Sequence, residues 1–274
     1  MSAQLFAAPA VSAQKWCANF FSDTFAEVHL QRKDARQLAA AVSFLTDVLH
    51  LGKDMHVFDQ CCGIGDISLA LAQTGVQVTG VDLMPSYIDT ARKRAATAGT
   101  MCGFYTDDAG RFVPRKPCHA AFNWWTSFGY SPQDAENIKM LQRAYDALLP
   151  GGYFALDYMN SVARRASFAG QTVLTDRYVL PDGATSIWQS RLDKTGEMLV
   201  RTWCYTDAAG QSETQEGAGA KLYTAPDLQR LLQACGFTGV HFYGSDTGAD
   251  YTAQSPRCIA VARKPREGKK HDAK

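Results

Sequence analysis

The feature that most constrains the fold of this chain is a strand, a tight turn, a helix and a second strand in immediate succession. Met55-His56-Val57-Phe58-Asp59 reads as a short apolar strand and Cys61-Cys62-Gly63-Ile64-Gly65 as a turn. Asp66 to Gln73 reads as a helix whose Ile67, Leu69, Ala70 and Leu71 can pack on a sheet. Gly75 ends it, and Gln77-Val78-Thr79-Gly80-Val81-Asp82 is a second strand. Two strands joined by a crossover helix pair in parallel, with a right-handed connection.

The alternation continues downstream. A helix over Ser86–Ala98 stops at Gly99, Gly103–Thr106 is a third strand, and Ala120–Trp125 is a fourth. A long helix from Pro132 to Leu149 carries Ile138, Leu141, Tyr145 and Leu148 on one face, and Pro150-Gly151-Gly152 breaks it before a fifth strand, Tyr153–Tyr158. Alternating strands and helices predict a doubly wound α/β fold. Upstream, residues 1–13 read as a loose end and 14–51 as helical, with apolar residues from Phe20 to Leu49 recurring at helical spacing. Between Gln171 and Leu222 the texture changes to short β segments, Thr172–Thr175, Thr185–Leu192 and Met198–Tyr205. Asp182-Gly183, Gly196 and Gly210 mark turns between them, which predicts antiparallel hairpins. Helix and strand return at Thr224–Cys235, Val240–Tyr243 and Arg257–Ala262, and the charged stretch Lys264–Lys274 reads as a disordered tail.

Composition removes several classes of function. The 274 residues are 46% hydrophobic and 20% charged, which excludes a disordered, collagen-like or coiled-coil chain. Against 27 acidic residues there are 28 Lys and Arg, a net charge of +1, so nothing supports broad electrostatic binding to nucleic acid or acidic membranes. No apolar run approaches the ~18 residues of a membrane span. Met1–Ser12 lacks the basic segment of a signal peptide. The eight cysteines form no C-x-x-C pair, and a cytoplasmic protein with reduced thiols is expected.

The first turn carries the chemistry. Its glycines let backbone approach a ligand closely, and the following helix offers unpaired N–H groups. Asp82 ends the second strand 17 residues beyond Gly65, where an acid can accept both hydroxyls of a ribose. Asp59, Asp82, Asp108, Asn123 and Asp157 all fall at the carboxyl ends of strands, where ligands sit in such sheets. The dinucleotide fingerprint requires Gly at 63, 65 and 68, but position 68 is Ser, so the fit to NAD is incomplete.

Asp59-Gln60-Cys61-Cys62-Gly63-Ile64-Gly65 instead resembles the first motif of class I S-adenosylmethionine-dependent methyltransferases, an acid opening a D-x-G-x-G-x-G run. The resemblance extends through Gly80–Ser86, Thr106-Asp107-Asp108-Ala109, Asn123–Tyr130, Leu148–Tyr153 and Tyr223–Phe237, in order and at the family's spacing. It implies a Rossmann-like, seven-stranded, mostly parallel sheet. The core would be 53–160 and 221–263, with a helical N-terminal cap over 1–52, an antiparallel β insertion over 161–220 and the tail 264–274. It implies S-adenosylmethionine as cofactor, with Asp59, Gly63 and Gly65 bordering its methionine end. Asp82 would hold the ribose, Leu83 would lie beside the adenine, Asp107 and Asp108 would form the adenine-site motif, and Asn123 would present its backbone near the cofactor amine. Cys61 departs from the motif, standing where the family has its first glycine.

The acceptor is expected to be a small molecule, methylated at N, C or O mainly through placement and desolvation. Nucleic acid is disfavoured by charge and by the missing N/D-P-P-Y/F sequence. Phe20, Trp125, Tyr130, Tyr158 and Tyr223 are the candidate acceptor-binding residues, since aromatic walls suit a planar or cationic acceptor; each could instead pack in the core. No catalytic residue stands out. His241 is the residue weighed as a base, His56 and His119 read as structural, and no metal is expected because position 123 is Asn. Arg164-Arg165 reads as a solvated face, or as a contact to an acidic substrate group. Transfer of an amino or aminocarboxypropyl group, a non-catalytic cofactor-binding module, and a homodimer are left open.

Overall fold

The computed structural model describes residue 17 and residues 20–30 and 34–266. A helical turn, Asp23–Phe25, passes directly into a π-helical segment, Ala26–Leu30. The remaining elements are α1 (Ala35–Val48), β1 (His56–Gln60), α2 (Asp66–Ala72), β2 (Gln77–Asp82), α3 (Pro85–Ala98), β3 (Cys102–Thr106), β4 (Cys118–Asn123), α4 (Asp134–Ala147) and β5 (Leu148–Met159). They are followed by α5 (Ser161–Ala166), β6 (Leu174–Val179), β7 (Thr185–Leu192), β8 (Met198–Thr206), β9 (Ser212–Lys221), α6 (Ala225–Ala234), β10 (Thr238–Tyr243) and β11 (Arg257–Arg263).

Two sheets result. The first has seven strands in the order β10-β11-β5-β4-β1-β2-β3, and the second has four in the order β6-β7-β8-β9. In the larger sheet β11 runs antiparallel to both β5 and β10, and every other pairing is parallel. β1 is buried along its whole length between β2 and β4, which suits its apolar run. The chain leaves β1 on one side and returns through β4 on the other, so a crevice opens above the carboxyl ends of these two strands. Gln60 lies in register with Asn123, which sets the turn after β1 beside the loop after β4.

The expected N-terminal cap divides. Ala41, Phe44 and Leu45 of α1 pack in one cluster with Val57, Leu71, Phe122 and Ile259, so α1 is a layer of the doubly wound core. The segment 20–30 belongs elsewhere. Phe20 and Phe25 cluster with Trp203 of the four-stranded sheet, and Tyr87 of α3 donates to the Ser22 carbonyl at 2.8 Å. The single helix expected over 14–51 is therefore interrupted: Asp34 starts α1 afresh, its carboxylate accepting from the Arg36 amide at 2.9 Å. Most of 14–19, and 31–33, lie outside the described residues.

Three further boundaries differ from expectation. α4 ends at Ala147, and β5 begins at Leu148, before Pro150-Gly151-Gly152. β9 escaped notice because Ser212–Lys221 contains few of the β-branched and aromatic residues that mark a strand. Lys264 is anchored rather than loose, its ammonium donating to the carbonyls of Tyr145 and Leu148 at 2.9 and 2.7 Å. Residues 267–274 lie outside the described residues.

Candidate active site

The turn after β1 adopts the backbone its glycines permit. Gly63 and Gly65 have φ of +56° and +82°, in the left-handed region, and Gly65 leads directly into α2. Cys61 also has a positive φ, +66°, a strained conformation for a residue with a β-carbon. Its thiol points to the Ser127 carbonyl at 3.7 Å, and burial pushes it well above the usual range, so it stays protonated.

Two acids frame this turn. Asp59 is buried and accepts from the Ser68 hydroxyl at 2.6 Å. The residue that spoils the dinucleotide fingerprint thus satisfies a buried carboxyl. Burial raises Asp59 to about 7, against the lowering effect of the Ser68 bond. Asp82 accepts from the Gly63 amide at 2.8 Å and the Met84 amide at 3.0 Å, which holds its carboxylate against the turn. Burial raises Asp82 too, and the backbone N–H bonds oppose it. The thiol of Cys17 is pushed up by burial and then by Asp82 and Asp108.

Asn123 is fully buried at the end of β4, its amide donating to Gln60 Oε1 at 3.4 Å, while its Oδ1 has no hydrogen-bond partner among the described residues. The loop that follows is locked from β5 and β11. Asp157 accepts from the Trp125 amide at 2.9 Å and from two guanidinium N–H groups of Arg257 at 2.7 Å each. Arg257 also donates to Thr126 Oγ1 at 2.9 Å. This clamp holds Trp125 and Thr126 at φ of +56° and +61°. Both oxygens of Asp157 are therefore engaged in positioning the loop.

A cavity of about 260 Å³ lies between these parts. The turn supplies Asp59, Cys61, Gly63 and Ile64, the β4 loop supplies Trp124 to Ser127 and Tyr130, residues 20–30 supply Phe20, Phe21, Phe25 and His29, and the second sheet supplies Trp188, Leu199 and Arg201. Of the expected acceptor residues, Phe20, Trp125 and Tyr130 line it.

The other two do not. Tyr158 is fully buried, its hydroxyl donates to the Lys221 carbonyl, and its ring packs on Phe128 and Tyr223. The Tyr223 hydroxyl donates to Asp134 Oδ1 at 2.6 Å and accepts from the Asn137 amide at 2.9 Å. Both are core residues: their rings are buried, and their hydroxyls are engaged by the protein, at the Lys221 carbonyl and at Asp134 and Asn137. Asp82, Leu83, Asp107 and Asp108 lie outside the lining of this cavity. Asp107 pairs with Arg111 at 2.9 Å, and Asp108 accepts from the Gly110 amide at 2.7 Å, shaping the turn after β3. His241 stands on the edge strand β10 beside Asp250 and away from the cavity. Arg164 donates to Ser190 Oγ at 2.8 Å, tying α5 to the second sheet.

Sequence reading missed His29, Trp188 and Arg201. His29 Nε2 lies 3.2 Å from Ser186 Oγ, which also accepts from the Trp203 indole at 2.9 Å. The signal was available for Arg201. It alternates with the apolar Leu199 and Trp203 along β8, a charge on the face that packs inward.

The donor set fits S-adenosylmethionine. A glycine turn lies at a switch point of the sheet, Asp82 is fixed by backbone amides, and the buried Asp59 is suited to a cationic ligand. Residues 57–152 match the family described as "Methyltransferase domain". Over that stretch the chain carries a methyltransferase domain, and its cofactor is S-adenosylmethionine. It is 23% identical over 219 residues to the putative methyltransferase YqeM of Bacillus subtilis (strain 168), covering 76% of this chain and 83% of the relative. Among solved structures it resembles the sugar N-methyltransferase KedS8 from Streptoalloteichus sp ATCC 53650, with a TM-score of 0.65, 18% identity, and coverage of 97% of this chain and 98% of the other. It also resembles CalS10, an amino pentose methyltransferase from Micromonospora echinaspora solved with S-adenosylmethionine bound, with a TM-score of 0.63, 20% identity, and coverage of 90% and 98%. None of the helices among the described residues is long and apolar enough to cross a membrane.

Proposed function

We propose that the protein methylates an amino group of a small-molecule acceptor held in the cavity between the cofactor turn and the second sheet. One observation carries this reading: a single cavity joins Asp59, Cys61 and Gly63 to an aromatic wall of Phe25, Tyr130 and Trp188. Aromatic faces attract an amine as it gains positive charge. The likeness to a sugar N-methyltransferase and an amino pentose methyltransferase extends over 97% and 90% of this chain, and supports the same acceptor class.

The bound cofactor supplies a methyl group already activated on a sulfonium. The work of the chain is therefore placement and exclusion of water. Asp59 borders the cationic methionine end, and Asp82 takes the ribose hydroxyls beside Leu83, with Asp107 and Asp108 at the adenine end. Asn123 and the clamped loop set the acceptor side of the turn. Residues 20–30 roof the cavity, and His29, the one imidazole in its lining among the described residues, takes the proton that the amine releases.

Incubation with cofactor carrying a ¹³C-methyl group and a panel of small amines, including amino sugars with and without a phosphate or carboxylate group, tests this. Label is expected at N-methyl positions of the product. Label on oxygen or carbon, or absent from product, overturns the reading.

A further inference from the structure

Arg201 is a cation in the cavity wall that has no anionic partner among the described residues. Leu199, Arg201 and Trp203 share one side of β8; Leu199 and Trp203 are fully buried there, and Arg201 opens onto the cavity with Leu199. The pairing of β8 with β9 slips at this point. Arg201 lies opposite Ala218 and Thr202 opposite Glu216, which leaves Gly217, at φ +89°, as an extra residue. Such bulges bend and twist a strand, and they occur beside sites where a side chain must be aimed.

Other arginines that reach inward bring a carboxylate with them. Arg257 has Asp157 at 2.7 Å, and Arg94 has Asp66 at 2.6 Å. Among the described residues Arg201 makes no ion pair; its guanidinium carbon lies 5.8 Å from the centre of the Trp188 ring. Burial lowers its pKa, and the cations Arg164 and Arg257 lower it further, against the opposing effect of Tyr130 and Tyr158. Withdrawing a cation from water is costly unless a counterion meets it. The guanidinium fork matches the paired oxygens of a carboxylate or phosphate, and Trp188 offers an apolar face beside it.

We propose that Arg201 binds an oxyanion of the methyl acceptor, so that the substrates of this enzyme are small amines that also carry a carboxylate or a phosphate. The anion would lie at the β8 end of the cavity and the nucleophile at the turn, 59–65. Arg201 would then determine specificity by fixing which end of the acceptor faces the cofactor. The assignment rests on the cavity's being the acceptor site.

Equilibrium binding tests it without knowledge of the natural substrate. Benzoate, phenylphosphonate and the neutral benzamide are titrated into protein saturated with S-adenosylhomocysteine and, in parallel, into protein without it. Wild-type protein is expected to bind benzoate or phenylphosphonate at least tenfold more tightly than benzamide, and the tighter of the two anions identifies carboxylate or phosphate. In Arg201→Met the preference is expected to vanish, and in Arg201→Lys to survive in part. S-Adenosylhomocysteine affinity serves as the check that each variant is folded. Equal affinity for benzoate, phenylphosphonate and benzamide in wild-type protein overturns the proposal, whatever the variants do, as does an anion preference that persists in Arg201→Met. Failure of S-adenosylhomocysteine to bind wild-type protein would count against the methyl-transfer reading instead, because the anion preference is read in its absence as well.

Discussion

Asp157 and Arg257 form a two-pronged ion pair, at 2.7 Å for each contact, across the antiparallel strands β5 and β11. The same carboxylate receives the Trp125 amide, so the pair braces the loop after β4 that lines the cavity. Burial pushes the Asp157 carboxyl up and Arg257 opposes it. Removing the arginine would leave a buried carboxyl without its counterion. Arg257→Met is expected to cost about 3–5 kcal/mol of stability, measured by urea unfolding. A loss below about 1 kcal/mol would show that the loop is held by other contacts.

Cys61 tests how much strain the departure from the family motif stores. At φ +66° a glycine is relaxed and any residue with a β-carbon is not. Cys61→Gly is expected to be more stable than Cys61→Ala by about 1 kcal/mol, since only the second keeps the strained β-carbon. Calorimetric melting of the two variants gives the order. Equal stability would mean that the turn relaxes around the side chain.

Asp82 is the proposed ribose ligand, already aligned by the Gly63 and Met84 amides. Asp82→Asn keeps the size but turns a charged acceptor into a weaker one. S-Adenosylhomocysteine is expected to bind roughly a hundredfold more weakly, equivalent to about 3 kcal/mol for two charge-assisted hydrogen bonds. Titration calorimetry reads the affinity directly. Unchanged binding removes Asp82 from the site.

Asp59 gives the protein a pH dependence with a definite sign. Its carboxyl is raised to about 7 in the fold, from an ordinary value of 3.8. Between these limits the folded chain holds a proton that the unfolded chain has released. The stability associated with that proton is complete below pH 3.8 and is lost as pH rises to about 7. Asp59→Asn should flatten this decline in a series of urea titrations. Binding of the cationic cofactor favours the ionised form, so wild-type affinity is expected to fall about tenfold from pH 8 to pH 6. An Asn variant with the same pH profile as wild type would assign the titration to another group.

The parallel core was legible because its signals are local. Glycine punctuation, buried strand runs and helical spacing each act within a few residues, and β1, α2, β2, α3 and β4 fall where the pattern places them. The roles of Tyr158 and Tyr223 were misread for a non-local reason. An aromatic residue near a loop has the same pattern whether its hydroxyl faces a ligand or, as here, the Lys221 carbonyl and Asp134. The path of residues 20–30 was likewise hidden, since their phenylalanines find Trp188 and Trp203 more than 150 residues away.

By itself the sequence determined the doubly wound core, the glycine turn after β1 and the two acids beside it, because strand–turn–helix geometry and glycine freedom are properties of short segments. Only the tertiary structure decided what lies opposite that turn. The cavity is closed by the 20–30 segment, the clamp of Asp157 on Arg257 and the inward face of β8, all of them long-range contacts. Whether a side chain such as Arg201 has a counterion depends on which distant residues the fold brings to it, and no spacing along the chain carries that information.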